Sequence, residues 1–107
     1  MENKTMKRVF ISVPMSGRTN DQINEDIRCG KEEYLDRHPY EDVEFVDNYI
    51  DVNAPSCKNP GLFCLGESIK KIATCDDVVF CGKWRQARGC LVERMVYDLY
   101  IDGSFAT

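Results

Sequence analysis

The run Val9-Phe10-Ile11-Ser12-Val13, broken at once by Pro14-Met15-Ser16-Gly17-Arg18, constrains the fold more than any other stretch of this chain. Five residues are too few for a core helix, and β-branched side chains pack well on a pleated surface. The run lacks the alternation of a strand with one wet face, so both of its faces must be covered. Strands of that kind belong to parallel sheets wrapped by helices, and the rest of the chain reads accordingly. Thr19 followed by Gln22 is a capping box, and Ile23, Ile27, Tyr34 and Leu35 recur at helical spacing until Pro39 closes the helix from beyond its end.

Val43-Glu44-Phe45-Val46 is a second strand. Asp47 to Gly61, with Asn48, Asn53, Pro55, Asn59 and Pro60, is a long polar connection and is expected to form a mobile lid. Leu62, Leu65, Ile69, Ile72 and Ala73 mark one face of a second helix, and Asp76-Asp77 leads into a third strand, Val78-Val79-Phe80-Cys81. A last helix follows Gly89, with Val92, Met95, Val96 and Leu99 spaced as its core face. Three β-then-α units joined by right-handed crossovers predict an α/β fold of one domain over 1–107, with a short parallel sheet in the order 2-1-3 and helices on both faces.

The formal charge of −4 argues against a nucleic-acid partner, since phosphate-backbone binding needs a basic face. Six cysteines are spread through the expected helices and strands without a Cys-x-x-Cys pair, and His38 is the only histidine. Reduced, mostly buried thiols are therefore expected, with no metal site and no cofactor. No signal-peptide pattern and no apolar stretch of spanning length occur, so the expected setting is cytoplasmic, away from membranes.

Ligands of parallel sheets bind beyond the carboxyl ends of the strands, at the switch point between neighbours. That rule brings the loop Pro14 to Arg18 to the loop Gly82 to Gly89. Ser16 and Gly17 would offer backbone N–H groups and Arg18 a charged donor to an anion, although an ordinary strand-to-helix turn has the same residues. Trp84 could stack on a base or simply pack. Glu93, four residues after Gly89, is expected in the first turn of the last helix, held ionised by the helix dipole. There it would be either a nucleophile or a cap of its own helix.

Four segments in order carry a resemblance: Phe10 to Gly17, Leu65-Gly66-Glu67-Ser68-Ile69, Cys75 to Phe80, and Ala87-Arg88-Gly89-Cys90 with Glu93. Together they resemble the nucleoside 2-deoxyribosyltransferase-like superfamily, most closely its small bacterial and phage branch. The resemblance implies a flavodoxin-like sandwich and transfer or hydrolysis of a sugar–base bond on a nucleoside or nucleoside 5′-monophosphate, with Glu93 attacking C1′. It further implies that Ser16, Gly17, Arg18 and Arg88 hold the phosphate, while Phe10, Ser12, Met15, Trp84 and Gly89 complete the substrate site.

The chain departs from that pattern where the superfamily carries Tyr at Phe10, Gly at Val13, an acid near Ile69 and Ser68, and Asp or Ser at Ala87. Of the usual catalytic set only Glu93 remains, with no hydroxyl expected beside it. A non-catalytic nucleotide-binding protein of the same fold is the alternative. Members also continue into a fourth strand after the final helix, whereas Asp102-Gly103-Ser104-Phe105-Ala106-Thr107 follows here. Strand three is then an exposed edge, which a second copy of the chain is expected to cover in a homo-oligomer.

Overall fold

The computed structural model describes residues 6–46 and 58–103. In chain order they form β1 (Lys7–Ser12), α1 (Asn20–Arg37), β2 (Val43–Val46), α2 (Pro60–Ile72), β3 (Asp77–Phe80), a 3-10 turn (Trp84–Gln86) and α3 (Arg88–Val96). The strands are parallel in the order β2-β1-β3, with Val9 opposite Phe45 on one side and Asp77 on the other. β1 is central because its residues are apolar enough to be enclosed from every side: Val9 and Phe10 are 0% and 1% exposed.

The pleat of β1 divides the core. Val9, Ile11 and Val13 meet Tyr34 of α1 together with Val79 and Cys81. Phe10 points the other way, to Ile72 of α2, Val78 and the partly buried Val96 and Tyr97. The sheet is thus the middle of three layers, with α1 on one face and α2 and α3 on the other. Burial pushes the Cys81 thiol up to about 12.

The helix starts follow their local chemistry. Thr19 Oγ1 accepts from the Gln22 N–H at 3.1 Å while Gln22 Oε1 accepts from the Thr19 N–H at 3.0 Å, which is the expected capping box. The expected lid lies outside the described residues as far as 57; its last part begins α2, where Asn59 caps the Leu62 N–H and Pro60 takes the first position.

The expected helix faces need correction. Leu35 and Leu62 point outward, and α1 instead faces the sheet with Ile23, Ile27, Gly30 and Tyr34. The larger difference is in α3, whose buried residues are Cys90 and Glu93, with Val96 and the following Tyr97 against the core. Met95 and Leu99 are 63% and 46% exposed, so the line Val92, Met95, Leu99 is a second apolar stripe turned about 100° from the inward one. Beyond Val96 the chain continues as a π-helical segment, Tyr97–Asp102, closed by Gly103, whose N–H reaches the Asp98 carbonyl at 3.1 Å.

Of the described cysteines, Cys81 and Cys90 are buried, Cys64 and Cys75 half-buried and Cys29 exposed, all as free thiols. The expectation of mostly buried thiols holds only for the first pair. No helix among the described residues is long and apolar enough to cross a membrane.

Candidate active site

Ser12 is the last residue of β1 and shares the face of Phe10, so its hydroxyl points into the layer that holds α2 and α3. Its backbone is clamped by the sheet, with the Cys81 N–H donating to the Ser12 carbonyl at 2.8 Å. α3 passes over this point and lowers Glu93 onto it: Ser12 Oγ donates to Glu93 Oε1 at 2.7 Å, with the two residues 1% and 7% exposed. Ser68, brought by α2, and Cys90, one turn before Glu93, line the same cleft as the carboxylate.

Glu93 is therefore neither a first-turn residue nor a cap. α3 starts at Arg88, which makes Glu93 its sixth residue, and no side chain caps it at Ala87. The dipole falls off within the first turn, and burial is what governs the group. Desolvation pushes the Glu93 carboxyl above the ordinary carboxylate range, and hydrogen bonds from Ser12 and Ser68 pull it part of the way back. The expectation of a carboxylate without a hydroxyl neighbour is overturned, because the strand supplies Ser12.

A cleft of about 600 Å3 opens above Glu93. Met15, Ser16 and Arg18 line one side, Arg88 and Gly89 the other, and Leu65 and Ser68 of α2 the floor beside Glu93. The two loops picked out by the switch-point rule thus face each other across one crevice. Sequence reasoning passed over Lys83 and Gln86, which also line the cleft, although both lie in the loop after β3 that the rule had singled out. Among the described residues neither Lys83 nor Arg88 is in an ion pair, so the ammonium and the guanidinium remain open to an anion.

Arg18 is placed differently from expectation. Its guanidinium forms an ion pair with Asp26 of α1 and donates to the Gln22 carbonyl at 3.5 Å, while its Nε–H is buried without a partner among the described residues. The Arg18 backbone N–H closes a turn on the Met15 carbonyl at 3.1 Å, with Gly17 in its left-handed third position at φ 71°; Gly17 itself does not line the cleft. The amides at the start of α1 are also drawn on by its capping box, whereas the start of α3 has no side-chain cap. Uncommitted cations and backbone N–H groups therefore lie more at Lys83, Arg88 and the first turn of α3 than in the loop after β1.

Phe10 and Trp84 do not reach the cleft. Phe10 is core, packed on Ile72 and Val78. Trp84 lies 5.1 Å from the Phe80 ring and under the Arg94 guanidinium at 5.4 Å, lining a separate hollow of about 620 Å3 along the free edge of β3. Among the described residues no cluster of three or more His, Cys, Asp or Glu side chains is placed to hold a metal ion. Compared with models of known protein families, with curated proteins and with solved structures, the chain finds no match.

Proposed function

We propose that the chain cleaves or exchanges the N-glycosidic bond of a small nucleoside or nucleoside 5′-monophosphate, deoxyribose or ribose, with Glu93 as nucleophile. The observation that carries this reading is a buried carboxylate on a cleft wall, one oxygen held by Ser12 at 2.7 Å, beneath a rim bearing the open cations Lys83 and Arg88. A carboxylate oxygen would form a bond to C1′ as the C1′–N bond breaks, the base leaving with the bonding pair and taking a proton from water. Water, or the nitrogen of a second base, would then attack C1′ and release the carboxylate. Lys83, Arg88 and the uncapped start of α3 suit a 5′-phosphate, which anchors the sugar for attack. The resemblance read from the sequence points to the same chemistry.

The test is free-base release, followed by chromatography, from a panel of deoxynucleosides, ribonucleosides and their 5′-monophosphates. Release by the wild type that is lost in Glu93→Gln, with ligand binding kept, supports the nucleophile; release that persists in the variant rejects it. One observation favours a second reading, a non-catalytic nucleotide-binding protein: Glu93 is the only carboxylate lining the cleft among the described residues, so no acid assists the leaving base. Binding by the wild type without any release decides for that reading.

A further inference from the structure

We infer that Ser12 is the positioning residue of Glu93, holding one carboxylate oxygen so that the other is presented to the cleft. The inference rests on the glycosidic reading for its chemical purpose, but the geometry stands by itself. Ser12 is 1% exposed and is not among the cleft-lining residues, so it cannot touch a substrate. Its hydroxyl nevertheless reaches Glu93 Oε1 at 2.7 Å, a short bond of the charge-assisted kind. The anchor is rigid, because the Ser12 carbonyl accepts the Cys81 N–H at 2.8 Å and Ser12 pairs with Phe80 of β3.

Packing alone does not call for this pair. A serine and a glutamate facing each other across two layers of a core could both be replaced by apolar groups of similar shape at little cost. A buried carboxylate retained on a cleft wall, with a hydroxyl behind it and a second hydroxyl from Ser68 beside it, is an arrangement that serves the carboxylate.

The remaining charged or titratable groups around the cleft are Arg18 from the loop after β1, Cys64 from α2, Lys83 from the loop after β3, and Arg88 and Cys90 from α3. None of them hydrogen-bonds Glu93, whereas Ser12 does at 2.7 Å.

The experiment is a carbon-13 NMR titration of glutamate-labelled full-length protein, with Glu93 assigned by its loss in Glu93→Gln. In Ser12→Ala the Glu93 midpoint should rise by about 1–2 pH units, the loss of one hydrogen bond to a charged group. Ser12→Cys, which keeps the size and is a weaker donor, should move it less in the same direction. Where the wild type releases base, Ser12→Ala should lower kcat at pH 7 at least tenfold, shift the acid limb upward and leave KM within about twofold. A midpoint that stays in place in whichever variant folds overturns the inference. Absence of base release in the wild type defeats the glycosidic reading alone, because the titration still decides the role of Ser12.

Discussion

Asp26 lies directly under Gly82: a Cβ built on that glycine would come within 2.5 Å of the Asp26 carboxylate, which is itself in an ion pair with Arg18. One carboxylate on α1 thus lies against the turn after β3 while it holds the arginine of the loop after β1. Gly82 has φ 59°, a conformation costly for any residue with a side chain. Gly82→Ala is expected to cost about 1–3 kcal/mol from backbone strain, with the contact to Asp26 added. Asp26→Ala in the same chain should recover part of the loss, so a double-mutant cycle by urea unfolding should show a coupling well away from zero. Strict additivity would mean that Asp26 does not set the position of this turn.

Ligand preference should follow the open cations. Arg88→Ala and Lys83→Ala are each expected to weaken a nucleoside 5′-monophosphate about tenfold while changing the matching nucleoside little, as for the loss of one charge-assisted contact. Arg18→Ala should have the smaller effect on that preference and the larger effect on stability, because its guanidinium is held by Asp26. Calorimetric titration of the three variants checks this, and a dominant effect of Arg18 would return the phosphate to the loop after β1.

The pH dependence of stability has a defined sign at Glu93. Burial raises this carboxyl in the folded chain, so the fold holds a proton at pH values where the unfolded chain has lost it. The ionised group therefore subtracts stability, an effect absent below the ordinary value of 4.5 and complete above the raised one. Glu93→Gln should be more stable than the wild type near pH 8, on the order of 1 kcal/mol, and indistinguishable from it near pH 4. Melting curves at the two pH values measure the difference; a destabilised variant at pH 8 would show that the charge is favourable where it sits. Base release should fall with pH along an acid limb lying above the ordinary glutamate range.

The stripe Val92, Met95, Leu99 bears on assembly. Such spacing marks a helix face that is covered by something, and the sheet covers a different face of α3. Self-association is expected to use this stripe in addition to, or in place of, the free edge of β3. Met95→Asp should then lower the mass measured by light scattering at micromolar concentration without lowering the melting temperature. A wild type that is monomeric at that concentration removes the expectation.

Layers and strand order were legible because they rest on local signals: a nearly unbroken apolar run reads as a doubly covered strand, and Thr19 with Gln22 marks a helix start wherever it occurs. Glu93 is legible in the sequence as a member of the candidate site, and the structure places it on the cleft wall, but its environment is not legible. Ser12 and Glu93 are 81 positions apart, and nothing near either one announces the other. The start of α3 was misplaced toward Gly89, which put Glu93 too near the dipole. Its core face was taken from the more hydrophobic of two stripes, whereas the inward one holds Cys90 and Glu93 because Ser12 and Ser68 are there to receive a carboxylate. Arg18 was assigned to a ligand because Asp26, two turns along α1, carries no mark in the sequence as its partner.

The alternation along β1 has a consequence for how the chain tolerates change. Odd and even positions serve different layers, and the buried polar group of the strand, the Ser12 hydroxyl that meets Glu93, is on the even side. Exchanging one apolar residue for another within Lys7–Ser12 disturbs packing by degrees. Adding or removing a single residue there transposes the two sides, turning a hydroxyl into the α1 layer and an apolar group toward Glu93, in a strand that still reads as a strand. Length in this segment is thus under tighter constraint than composition, and a one-codon slip would break the Ser12–Glu93 pair while leaving a sequence that looks foldable.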